Sequence, residues 1–150
     1  MALVEVLPMK AGLTEIPGIR NALAELKQIP AKIAERVALR LTALWRRSID
    51  AGQDPYGNAW APLKASTLRR KGGDARILRR TDAMRDETRA RALPGAGIGL
   101  QAPDPARWHQ SGTVHMAARQ YVPAYGLPAP WRKAAEEEAQ KAATERMRKR

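Results

Sequence analysis

The sequence predicts an α+β fold: long amphipathic helices packed on a small antiparallel β-sheet, with an N-terminal arm and a C-terminal helix. Three observations predict it. Apolar residues recur at helical spacing after Pro30, small and apolar residues alternate with arginine from 87 to 93, and ordered charges flank an alanine-rich stretch after Pro130. A 3.6-residue period marks a helix face and a two-residue period marks a strand, because that is how successive side chains point.

The elements follow in order. A chain of 150 residues fits one domain with appendages. The arm is placed at 1–15, the α+β core domain at 16–130 and the charged C-terminal helix at 131–150. Ile16, Ile19, Leu23 and Leu26 predict a first helix over 18–28. Pro30 interrupts it and suits the first turn of the next helix. There Ile33, Val37, Leu41, Leu44 and Ser48 form a stripe, widened by Ala34, Ala38, Trp45 and Ile49. The opposite side carries Lys32, Glu35, Arg36, Arg40, Arg46 and Arg47, so an amphipathic helix of about five turns is expected. Gly52 ends it, as glycine ends many helices.

Residues 53–62 are turn-rich, and Ser66 to Lys71 form a short helix closed by Gly72-Gly73. One helical turn is expected at 82–86. Two strands, 87–93 and 97–101, flank Pro94-Gly95. A short helix spans 106–111, and 120–125 is expected to be an edge strand restricted by Pro123. In the last helix Glu136, Glu137 and Glu138 precede Arg146, Arg148, Lys149 and Arg150, which suits the helix dipole. Glu137–Lys141 and Glu145–Lys149 have favourable i,i+4 spacing. Its apolar face is mainly alanine, so it is expected to bury little alone and either to fray or to need a neighbouring subunit.

Composition narrows the function. There is no Cys, hence neither a disulfide framework nor a thiolate metal site. No run of about 18 apolar residues suggests a membrane span, and the N-terminus has no signal-peptide pattern. His109 and His115 are the only histidines, and their spacing is not that of a helical metal pair. Nothing resembling a nucleophile elbow surrounds Ser111, so Ser111, His109 and Asp104 do not point to acyl transfer. Gly95-Ala96-Gly97-Ile98-Gly99 lacks the G-K-[ST] ending of a phosphate loop and reads as hairpin geometry. No catalytic, cofactor or metal residue is assigned, and no enzyme is expected.

Charge is the strongest compositional fact: the net charge is +12. Between residues 64 and 91 ten basic residues face four acidic ones. Arg69, Arg70, Lys71, Arg79 and Arg80 are its densest part and the candidate basic surface. Such a surface favours DNA or an acidic protein. One reading is therefore a small basic protein that binds nucleic acid without sequence preference.

A second reading rests on motifs. Gly57, Trp60, Pro62 and Leu63 form G-x-x-W-x-P-L; Ile77, Leu78 and Thr81 follow; then His109, Gln110 and Gly112 form H-Q-x-G. Their order resembles the phage virion morphogenesis family, the tail-completion and head–tail joining proteins of long-tailed bacteriophages. The resemblance runs from about Ile33 to Arg150. Asp82 stands where that family reads glycine, and Tyr125 where it commonly reads arginine. The resemblance implies a structural subunit that forms homo-oligomeric rings at the neck or tail end of the virion. It would be assembled in the host cytoplasm. Its partners would be further copies of itself, neighbouring neck, connector or tail-tube proteins, and DNA in the channel.

Overall fold

A computed structural model describes residues 31–93, 97–103, 105–123 and 126–149, except the side chains of Arg107 and Arg146. The expected arm, the first helix, the Pro94-Gly95 turn, Asp104 and Tyr125 lie outside the described residues. Within them the protein is α+β. The order is α1 (Ala31–Asp50), α2 (Ala65–Arg70), α3 (Ala83–Asp86), β1 (Arg89–Ala92), β2 (Ile98–Gln101), α4 (Ala106–Ser111) and α5 (Ala129–Arg148). The sheet is one antiparallel pair in which Ala90 faces Leu100 and Ala92 faces Ile98.

α1 is the central element and packs against both β1 and α5. It buries Ala34, Val37, Ala38, Leu41, Thr42, Trp45 and Ile49. The buried stripe is rotated from the expected one: Ile33, Leu44 and Ser48 lie at its margin, and Thr42 lies inside. Thr42 is tolerated there because its hydroxyl is fully used. It donates to the Ala38 carbonyl at 2.8 Å and accepts from the Ala90 N–H at 2.9 Å. A helix side chain thus pairs an outward-facing N–H of the strand, which would otherwise be a costly buried orphan.

Aromatic rings take the place of the missing phenylalanines. Trp45 lies 6.0 Å from Tyr121 and 6.1 Å from Trp131, centroid to centroid. The Trp45 indole N–H donates to the Tyr121 carbonyl. Trp131 and Ala135 bring α5 into the same core as Val37, Leu41, Trp60 and Ile98. α5 is therefore docked within its own chain, against the expectation that it would bury little alone; Trp131 in its first turn supplies the area alanines lack. Glu145 bonds Arg36 of α1 at 2.7 Å, across the helix pair rather than along α5.

Residues 120–123 are not a strand. Their backbone groups are bound by a side chain, described next.

Candidate functional site

The first motif is built around Asp54. Its carboxylate accepts from the N–H of Tyr56 at 2.9 Å and of Asn58 at 2.8 Å, and from the Asn58 amide at 3.0 Å. Gly57 lies inside this turn at φ +91°. The turn returns the chain so that the Trp60 N–H reaches the Gly52 carbonyl at 2.9 Å. Trp60 is thereby delivered to the core, with its indole N–H on the Gln120 carbonyl at 2.8 Å. Pro62 is exposed and Leu63 half-buried.

The third motif lies against the first. Gln110 is buried at the end of α4. Its Oε1 accepts from the N–H groups of Tyr121 at 2.9 Å and Val122 at 3.1 Å, and its Nε2 donates to the Val122 carbonyl at 3.1 Å. One side chain thus does the work of a neighbouring strand. This is why the β-prone segment at 120–123 needs no sheet. Gly112 caps α4 at φ +73° and ψ 176°. A Cβ there would stand 2.8 Å from the Ala118 nitrogen.

Arg119 joins the two motifs. Its N–H donates to the His109 carbonyl at 2.7 Å. Its guanidinium donates to the carbonyls of Ala61 at 3.1 Å and Pro62 at 3.2 Å. Burial pushes the Arg119 pKa down, yet an arginine stays charged in a protein, and carbonyl dipoles solvate it. His109 is held below its ordinary pKa by burial first and by Arg119 second. Its Nδ1 is buried without a hydrogen-bond partner among the described residues. Among the described residues no side chain orients this imidazole as a general base, and Ser111 beside it is exposed. Among the described residues no group of three or more His, Cys, Asp or Glu could hold a metal ion.

The middle motif lies at the C-terminal end of α1. Ile77 and Leu78 pack on the core, and Leu78 has φ +58°. Thr81 is exposed. Asp82, at the position where glycine is usual, takes the left-handed conformation at φ +58°. Aspartate is among the few side chains that accept this. It also gains a partner, Arg79, at 2.7 Å. Asp50, the last residue of α1, holds Arg85 at 2.6 Å and Arg79 at 3.3 Å. Hydrogen bonding from Arg85 and the nearby arginine charges lower the Asp50 pKa.

The five candidate basic residues therefore separate. Arg79 is half-buried and neutralised by Asp50 and Asp82. The Lys71 ammonium folds onto the Arg76 carbonyl. Arg69, Arg70 and Arg80 are exposed. Arg119 and Asp50, which organise the site, were not distinguished in the sequence. A single arginine in a loop and a single aspartate at a helix end carry no pattern of their own.

No described helix is long and apolar enough to cross a membrane. No curated protein and no solved structure matched the chain. The phage virion morphogenesis family matches residues 13–147, which takes in all three motifs, both strands and nearly all of α5. The chain belongs to the phage virion morphogenesis family, whose members are structural proteins of virion assembly.

Proposed function

We propose that this protein is a ring-forming subunit that completes the phage tail or joins head to tail at the neck. The observation that carries the reading is the family match over residues 13–147. The geometry supports it in two ways. Trp60, Gln110 and Gly112 of the motifs hold loops against the core, as a structural subunit needs. Large apolar side chains also remain on the surface: Val114 is 95% exposed, Leu39 67% and Trp108 50%. Exposed aromatic and aliphatic groups suit contacts with further subunits and with connector or tail-tube proteins.

Native mass spectrometry of the purified protein, together with its copy number in purified virions, tests the reading. A closed oligomer in solution and a matching whole-number copy number in the particle are expected. A protein that stays monomeric at all concentrations and is missing from virions would overturn it. The nucleic-acid-binding alternative would then be favoured.

A further inference from the structure

We infer that α2 and the chain leading from it present a contact surface for the phosphate backbone of duplex nucleic acid, made by Arg69, Arg70 and Arg80. The inference is independent of ring formation, since a monomer would show it.

The structure sorts the basic residues of 64–91 by the partners their side chains already hold: carboxylates, which neutralise them, or uncharged oxygens, which do not. Arg76 is paired with Asp74 at 2.8 Å, Arg79 with Asp82 and Asp50, and Arg85 with Asp50 and Asp86. Lys64 and Lys71 lie on backbone carbonyls, and Arg89 lies on Gln101. No described carboxylate pairs with Arg69, Arg70, Arg80 or Arg91, and all four are exposed; the first three lie on α2 and the chain leading from it, whereas Arg91 lies on β1. The cations left over are guanidinium forks, which bind phosphate well.

α2 is an unusual support. It is six residues long, buries none of them and has no side-chain N-cap bond. Its C-terminus is closed with care. Gly73 N–H reaches the Leu68 carbonyl at 2.9 Å and Gly72 N–H the Arg69 carbonyl at 3.0 Å, with Gly72 at φ +66°. Those two bonds are a Schellman closure, and they fix the last turn, which carries Arg69 and Arg70. A helix this short is marginal alone. This one contributes no buried residue to the core; what it does is hold two arginines in a set geometry at the surface.

The chemistry around these arginines selects the partner. In sequence none of the exposed large apolar side chains, Leu39, Tyr56, Trp108, Val114 and Met147, lies between 64 and 82, and the one that folding brings near is Val114, whose neighbour His115 accepts from Lys64 just before α2. Protein interfaces have an apolar centre; nucleic-acid interfaces are polar and strongly positive. Between 64 and 82 there is also no aromatic residue on which an unpaired base could stack, which favours duplex over single strand.

The test is fluorescence anisotropy of the full chain with short labelled duplexes of two unrelated sequences, over about 50 to 200 mM salt. Both duplexes should bind equally, with affinity falling as salt rises. The variant R69Q/R70Q/R80Q should lower the slope of log affinity against log salt by about 2–3, near 0.9 for each phosphate no longer neutralised. R69K/R70K/R80K should restore most of the binding, because lysine still supplies the charge. K32Q/R40Q/R47Q, which removes equal charge from exposed positions of α1, should change the slope much less. Equal loss in that control would overturn the assignment and leave only net charge. So would unchanged binding by the R69Q/R70Q/R80Q variant, or binding to poly-glutamate as tight as to the duplex, which would point to an acidic protein. Circular dichroism of each variant confirms that these exposed substitutions leave the fold intact.

Discussion

Gly112 combines two constraints that only glycine meets. Its φ of +73° with ψ near 180° is a region that residues with a Cβ avoid, and the Ala118 backbone occupies the space a Cβ would need. Gly57 also has positive φ, but nothing lies within 4 Å of its missing Cβ. Gly112→Ala should therefore cost about 1–3 kcal/mol from conformation, plus the clash, and Gly57→Ala distinctly less. Urea denaturation of the two variants checks the difference. Gln110→Leu keeps the volume of the side chain and removes three hydrogen bonds. It leaves the N–H groups of Tyr121 and Val122 and the Val122 carbonyl unpaired, at about 1–3 kcal/mol each. Loss of amide-exchange protection at Tyr121 and Val122 would locate the damage. His109 adds a pH dependence with a definite sign. Its folded pKa lies below the ordinary 6.5, so the fold binds fewer protons here than the unfolded chain does. Its contribution is complete above 6.5 and is lost as pH falls towards the folded value. His109→Gln should flatten the melting temperature between pH 7 and pH 5 relative to the parent; an unchanged profile would show that other groups set it.

At the scale of elements, Leu41 and Leu39 provide a matched pair on one helix. Leu41 is buried in the core and Leu39 is 67% exposed. Leu41→Ala should cost about 2–5 kcal/mol, while Leu39→Ala should stay within about 0.5 kcal/mol. The C-terminal end of α1 was legible because Gly52 punctuates it, and the hairpin was legible because small and apolar residues alternate with arginine. The rotation of the buried stripe was not legible. Thr42 reads as polar until a strand N–H arrives to bond it, and that partner is 48 residues away. The segment at 120–123 departs from the expected strand for a related reason. Tyr121 and Val122 favour strands, but a side chain eleven residues upstream satisfies their backbone. The site followed the same division. The Trp60 turn and Gly112 could be recognised from spacing. Arg119 and Asp50 could not, since each acts only through contacts that folding creates.

For the molecule as a whole, the question is how far the chain must extend to hold itself together. Trp131, Ala134, Ala135 and Ala142 are the buried apolar side chains of α5. From residue 143 to 149 every side chain with a described environment is exposed. The Arg36–Glu145 pair in that stretch is at the surface, where such pairs contribute little to stability. A chain ending at residue 142 should therefore melt close to the full-length protein. A chain ending at residue 130 should fail to fold, because it uncovers Trp45 and the α1 face that Trp131 and Ala135 close. The gap between these two truncations separates folding from assembly. If the stretch beyond 142 serves neighbouring subunits, the longer truncated protein will be folded yet impaired in oligomer formation, as read by native mass spectrometry. A folded protein with wild-type oligomer mass would place the subunit contacts elsewhere, with exposed Val114 and Trp108 the next surface to substitute.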